Sequence, residues 1–508
     1  MKIQRSKNAI NSIIFGVIYR LVITLCPFII RTVMLYVMGV EYLGLSSLFT
    51  SLLSFLSLAE LGVGSAMVYA MYKPIADEDD DAVCALLNLY KKLYRIIGTV
   101  ILAVGLILLP FIDNLIKGGY PDTINLHILY AIYLANTVAS YYLFGYKQSI
   151  LMAYQRQDII SKRSMVVQML MYICQIIALI VSHDYYAYVI LLPIFTVVTN
   201  FANSIIVDRL YPQYKCRGTV PKEQTDAIKK NIYALIGGRL SSTVLHSSDN
   251  LVLSAFVGLS MVAMYGNYYC ILNSVVGFLT IIYNSLTAGI GNSIVTENLE
   301  KNYNDFKVLS FMNNWLVTWC SACLLCLMQP FMKIWTGKDL MFDTAVVVLF
   351  AGYFYIYQIN KIVLTFKDAA GLWRQEFFRP YVVMATNLIL NILLVQIIGI
   401  YGVVLSTIVS LFIAVPWSTH VLYKCLFKIS AVPYVKDFIR NVIIATLACA
   451  ITYFVCSLID INNVTNLILR ALVCCVLPNL VLLIAFYRSS MLKLSIGKVK
   501  VMVSRFKR

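Results

Sequence analysis

Apolar residues along the chain fall into blocks of about 18 to 28, separated by short polar or Gly/Pro-bearing breaks. Each block is long enough to cross a hydrocarbon core about 30 Å thick. The pattern predicts about fourteen helices, at 9–38, 43–72, 93–112, 124–146, 164–182, 185–208, 230–257, 261–290, 309–328, 343–362, 380–398, 401–423, 437–458 and 467–487. These blocks fill almost all of the 508 residues and leave no room for a separate soluble domain. Composition agrees: 60% hydrophobic residues, 13% charged residues and a mean hydropathy of +0.80 exclude a soluble enzyme of this size. The net charge of +17 would suggest nucleic acid in a soluble protein. In a membrane protein it records orientation, so no nucleic-acid partner is expected. An even helix count puts both termini on one side. Of the 41 Lys and Arg, only Lys117, Lys333, Lys338 and Arg470 fall opposite the termini, and Arg20, Arg31 and Arg239 lie inside helices. This bias places both ends in the cytoplasm. Helix 1 is too long and too charged for a cleavable signal and is expected to be retained.

An internal duplication organises the chain. A shift of 219 positions brings Arg20-Leu21 onto Arg239-Leu240, Thr24 onto Thr243 and Gly39 onto Gly258. A shift of 227 then brings Gly62-Val63-Gly64-Ser65 onto Gly289-Ile290-Gly291-Asn292. Both copies begin with an outward-running helix, so the halves are expected to be parallel repeats about an axis along the membrane normal. The expected class is an all-α polytopic membrane protein. It has a six-helix bundle at 1–210, a cytoplasmic linker at 211–229, a second six-helix bundle at 230–428, and helices 13–14 with a basic tail at 429–508. Two bundles around a cavity that opens alternately to each side form a transporter architecture.

Ionisable groups at lipid depth are costly and normally face a cavity or a partner. Arg20 and Glu60 both lie roughly 17 Å deep at 1.5 Å per residue, and are expected to be able to pair. Arg31 lies near the outward end of helix 1, and Asp249 lies one position from its repeat equivalent, a candidate second pair. Arg239 takes the Arg20 position in the second half, with His246 two turns further out. Arginine grips phosphate through several fixed donors, so Arg31, Arg239 and Arg20 suggest an anionic, phosphate-bearing cargo. Glu60, Asp249 and His246 are the candidates for coupling or structural ion pairs, with Na⁺ or H⁺ as the coupling ion. No cofactor is expected: there is no nucleotide-binding loop, no metal-ligand spacing above noise and no nucleophile with a base at motif spacing.

Cys320, Cys323 and Cys326 mimic an iron–sulfur spacing but lack a fourth ligand nearby in sequence, and packing is the expected role. Asp77 to Asp81 reads as a solvated loop. Tyr141, Tyr142, Tyr265 and Tyr268 are suited to stacking on sugars, although interfacial belts and packing use tyrosine equally. The tail from Arg488 to Arg508 alternates aliphatic residues with cations, a pattern suited to anionic lipid or to water.

Several stretches carry a family likeness. Ser248-Asp249-Asn250, Phe256-Val257-Gly258 and Tyr265-Gly266-Asn267-Tyr268 resemble the helix 7 to 8 signature of bacterial polysaccharide-repeat flippases, members of the multidrug/oligosaccharidyl-lipid/polysaccharide exporter superfamily. Glu60-Leu61-Gly62-Val63-Gly64-Ser65-Ala66 with Tyr72-Lys73-Pro74-Ile75-Ala76 resembles the family's helix 2 and following loop. Lys367-Asp368-Ala369-Ala370-Gly371-Leu372-Trp373 with Arg379-Pro380, and Gly399-Ile400-Tyr401-Gly402-Val403, resemble later loops. The likeness spans residues 8 to 490. It implies a carrier of the bacterial cytoplasmic membrane that moves undecaprenyl-diphosphate-linked oligosaccharide to the outer leaflet by alternating access. Its partners would be membrane lipids and other polysaccharide-assembly proteins, and its cavity would be cationic, for which Arg31, Arg239 and Arg20 are best placed. The alternatives are a multidrug exporter of the same superfamily, whose cavity should hold acids and aromatics, and a membrane polymerase or glycosyltransferase. For the latter the longest outward loop, near 329–342, is too short.

Overall fold

The computed structural model describes residues 5–60, 62–460 and 463–506, and among these the regular structure is entirely helical. The chain forms two compact units, Met1–Ala263 and Met264–Arg508. The first contains α1 (Arg5–Val37), α2 (Val40–Leu56), α3 (Val63–Ala76), α4 (Asp80–Leu108), α5 (Leu126–Tyr142), α6 (Gln148–Ala153), α7 (Gln157–Ser182), α8 (Tyr185–Leu210) and α9 (Lys222–Phe256). Helix α10 (Leu259–Thr296) begins in the first unit and continues into the second. The second unit holds α11 (Leu299–Thr336), α12 (Thr344–Ile359), α13 (Lys361–Ala369), α14 (Arg379–Ile398), α15 (Ile400–Leu422), α16 (Val432–Ser457), α17 (Val464–Phe486) and α18 (Ser490–Phe506).

Among the described residues eleven helical stretches are long and apolar enough to span a membrane, or twelve if the pair Leu126–Tyr142 and Gly145–Ala153, bent by 49°, counts as one span. The chain is a multi-pass membrane protein. Two of the fourteen expected spans differ from expectation. The segment 43–72 is interrupted: α2 gives way to a 3-10 turn at Ser57–Glu60, and Gly62, with φ of 83°, starts α3. The segment 230–257 forms a helix, but α9 extends back to Lys222, and Arg239, His246, Asp249, Asn250 and several serines leave it too polar to count as an apolar span.

Helix starts follow side-chain chemistry at the breaks. Asp79 accepts from the Ala82 amide at 2.9 Å to open α4, so part of the acidic run is a helix cap. Asn125 and Asp184 cap α5 and α8 in the same way, each such cap contributing about 1 kcal/mol. Apolar side chains also cover the outer faces: in α7, Ile173, Ile177 and Ile180 are about half exposed, which in a membrane protein is surface for lipid. The basic tail is helical as α18, and Lys498 pairs with Asp305 of α11 at 2.6 Å.

The duplication is visible in the backbone. Gly39 and Gly258, equivalent under the 219 shift, both have positive φ (112° and 126°). Each donates its amide to a carbonyl five residues back, Met34 and Leu253, which are themselves equivalent positions. Both turns thus close helices α1 and α9 with the same i to i−5 bond, a geometry that favours glycine.

The segment 211–221 is held on the first unit. Tyr211 stacks on Tyr154 at 4.4 Å between ring centres, Arg217 bonds Asp81 at 2.9 Å, and Asn88 donates to the Gly218 carbonyl at 2.8 Å. Burial, reinforced by the Tyr154 hydroxyl, pushes the Tyr214 phenol well above its usual range.

Candidate functional site

The interruption between α2 and α3 places Glu60 against two other helices. Its Oε1 accepts from the Tyr94 hydroxyl of α4 at 2.6 Å, and its Oε2 accepts from the Tyr141 hydroxyl of α5 at 2.8 Å. Tyr90, one turn before Tyr94, donates to the Tyr94 oxygen at 2.9 Å. All three tyrosines are buried. A carboxylate at lipid depth is therefore satisfied by phenols, through charge-assisted hydrogen bonds that are stronger than neutral ones.

This corrects the expected pairing of Glu60 with Arg20. Among the described residues no ion pair joins them. Helix α1 packs along α7, while the turn that carries Glu60 lies against α4. Arg20 is partly buried, and its Nε finds no hydrogen-bond acceptor among the described residues.

Across the α1–α7 contact lies a residue that sequence reasoning missed. Arg163 on α7 is only 8% exposed. One terminal nitrogen, Nη2, reaches Gln148 Oε1 at 3.1 Å and Ser164 Oγ at 3.3 Å, while Nε and Nη1 have no acceptor among the described residues. Tyr19, next to Arg20 in the chain, is within electrostatic reach of both guanidinium groups. Two arginines of adjacent helices therefore carry buried donors with no acceptor among the described residues. Unmet donors on a buried cation cost free energy unless an anion satisfies them. The sequence signal for Arg163 was its distance from the start of the helix. Helix α7 begins at Gln157, not at 164, so Arg163 lies almost two turns inside it.

Near the other end of α1, Arg31 is half-buried and donates to the Ala263 carbonyl at 3.3 Å. Tyr188 of α8 lies within its electrostatic reach. Asp249 on α9 is 3% exposed, and the adjacent Asn250 donates to Ser51 Oγ of α2 at 2.8 Å, which turns this face of α9 toward α2. Arg239, the repeat equivalent of Arg20, is exposed, with no ion pair among the described residues. His246 has its backbone in α9, but its side chain lies outside the described residues. The first unit thus places Arg20 and Arg163 both within electrostatic reach of Tyr19, bonds Glu60 to tyrosines instead, and leaves Arg239 on an exposed face.

In the second unit the stretch that begins Lys367-Asp368 folds around one buried carboxylate. Lys367 and Arg379 bond Glu376 Oε2 at 2.7 and 3.0 Å, with Lys367 5% and Glu376 3% exposed. Tyr268 spends its hydroxyl on Gln329 and the Phe342 amide, so it serves packing here.

No family model matches the chain. An uncharacterized membrane protein of Methanocaldococcus jannaschii is 21% identical over 448 residues, 80% of this chain and 86% of that protein. Among solved structures, the lipid II flippase MurJ in an inward closed conformation superposes with a TM-score of 0.67 at 17% identity, over 94% of this chain and 99% of its own. A multidrug resistance transporter of the MATE family, of the MOP superfamily, in an inward-facing conformation, gives 0.61 at 16% identity, over 82% and 99%. The chain has their fold. The likeness covers nearly all of the MurJ chain, so the helices of both units take part in it.

Proposed function

We propose that the chain is a flippase that moves an undecaprenyl-diphosphate-linked oligosaccharide from the cytoplasmic to the outer leaflet of a bacterial cytoplasmic membrane, with both termini in the cytoplasm. The observation that carries this reading is that Arg20 Nε and Arg163 Nε and Nη1, all buried, have no acceptor among the described residues, in a fold shared with a lipid II flippase. A diphosphate offers the acceptor oxygens that such donors need, and guanidinium matches it with two parallel bonds. Arg31 and Arg239 extend the cationic path along α1 and α9.

The physical task fits this placement. A sugar diphosphate cannot enter hydrocarbon without losing its water, whereas the polyprenyl tail is soluble there. Arginines at lipid depth replace that water around the phosphates while the tail stays in lipid. An interior-negative potential favours outward movement of the anion by about 2.3 kcal/mol per charge per 100 mV. In this reading the segments 1–210 and 230–428 are the two moving bundles, and Asp249 takes up the coupling Na⁺ or H⁺.

The test is transfer of a labelled undecaprenyl-diphosphate oligosaccharide between leaflets of vesicles that hold the purified protein. Arg163→Gln and Arg20→Gln are expected to lower transfer at least about tenfold, the loss of one charge-assisted bond of roughly 1.5 kcal/mol or more. Arg31→Ala and Arg239→Ala are expected to lose transfer too. Transfer by Asp249→Asn should lose its dependence on sodium or pH. Wild-type rates in all four arginine variants would overturn the phosphate assignment. Buried Asp249 and the fold shared with multidrug transporters favour one second reading, export of an organic cation. Efflux of a cationic dye with no glycolipid transfer would select it.

A further inference from the structure

Thiols distant in the sequence meet inside the second unit. Cys326 of α11, Cys456 in the last turn of α16 and Cys474 of α17 are each at most 1% exposed. Their Sγ atoms all lie within 4.8 Å of one another, with Cys456 and Cys474 at 3.9 Å. Cys323, one turn before Cys326, packs against the trio and lies within hydrogen-bonding reach of Cys474. The spacing of Cys320, Cys323 and Cys326 within one helix is therefore not what makes the cluster; α16 and α17 complete it. A buried cation stands beside it. Arg470 is 7% exposed, donates through Nε to the Ile459 carbonyl at 3.1 Å and through Nη2 to the same oxygen, and directs Nη1 at the Cys326 carbonyl at 3.5 Å.

Packing alone explains small buried thiols but not a buried guanidinium next to them, which must find compensation. A disulfide would join only two of the four sulfurs, at a bond length of about 2 Å. A tetrahedral thiolate centre uses all four. Zn–S bonds of about 2.3 Å put the sulfurs roughly 3.8 Å apart, close to the spacing of Cys456 and Cys474. Charge is also partly compensated. A divalent ion with four thiolates carries two negative charges, of which the Arg470 guanidinium offsets one.

We propose that Cys326, Cys456 and Cys474, with Cys323 as fourth ligand, form a zinc-class metal site whose charge Arg470 partly offsets, and that the ion clamps α16 and α17 to α11. Loading Zn²⁺ releases four thiol protons to solvent, so affinity rises with pH. The clamp reinforces contacts already present between these helices, such as the Trp319 indole nitrogen bonded to the Cys474 carbonyl at 3.0 Å.

The test uses the purified full chain in lipid nanodiscs, stripped by a chelator and then supplied with Zn²⁺ or Co²⁺. Expected are one tightly held zinc per chain by elemental analysis, a thiolate-to-cobalt charge-transfer band, and a higher thermal midpoint on zinc addition. In the wild type, zinc should protect Cys456 and Cys474 from a membrane-permeable maleimide, a readout that needs no variant. Bound metal should fall to background in Cys474→Ser and Cys456→Ser and persist in Cys174→Ser, a thiol of α7 in the other unit. Three results would overturn the proposal: no zinc held by a wild type whose thiols all react freely, a chain two mass units light with Cys456 joined to Cys474, or equal zinc in Cys474→Ser.

Discussion

The second helix of each half starts from a similar sequence and ends in a different shape. In the first half, α2 stops, a 3-10 turn carries Glu60, and Gly62 enters the left-handed region to launch α3. In the second half the equivalent stretch from Thr287 to Asn292 lies within α10, which runs unbroken to Thr296. Glycines occupy the matching positions in both, so glycine permits the break without causing it. What differs is the residue two before the first glycine. Glu60 needs acceptor-matched donors in a low-dielectric setting and finds them on α4 and α5. Its counterpart Thr287 satisfies itself with a bond to the Tyr283 carbonyl one turn back, at 3.0 Å, and the helix continues. A half-buried charge with remote partners can thus bend a helix that its own sequence would leave straight.

The comparison can be broken most severely at the carboxylate. Glu60→Ala leaves two buried phenols without an acceptor and should cost about 3 kcal/mol, read as a lowered thermal midpoint of the purified protein. If the charge causes the break, backbone amides at 57–65 should also exchange more slowly in this variant; unchanged exchange would return the cause to Gly62. Tyr94→Phe removes one bond to the charge and should cost about 2 kcal/mol. Its effect should largely vanish in the Glu60→Ala background, and an additive double variant would deny the contact. Gly62→Ala forces a side chain into the left-handed region at a cost of about 1–2 kcal/mol, measurable by the same melt. Smallest and opposite in sign, Gly289→Ala sits in continuous helix with open space around it and should raise stability by up to about 1 kcal/mol. Equal losses for the two glycine variants would erase the distinction between the halves.

Much of this organisation is legible before any coordinates. Block lengths locate the helices, and Gly39 and Gly258 stand at equivalent positions of the repeat. Arg20, Arg31, Glu60 and Asp249 stand out because lipid depth penalises charge. Arg163 does not, because its helix starts before the apolar block begins and polar first turns look like loop. The interruption at Glu60 was equally hidden: residues 43–72 read as one apolar run, and nothing local announces that two tyrosines of α4 and α5 claim the carboxylate.

The sequence by itself determined that the chain lives in a membrane, roughly where its helices lie, and that its halves are related. Those properties depend on hydrophobicity and period along the chain, which are local. Only the tertiary structure decided that Glu60 binds Tyr94 and Tyr141 and not Arg20, that Arg163, like Arg20, comes near Tyr19, and that Cys326 meets Cys456 and Cys474. Each of those partnerships joins residues more than thirty positions apart, or on separate helices. A hydrogen bond or ligand bond is made only within about 3 Å and at a narrow angle. Helix packing alone sets which groups come that close.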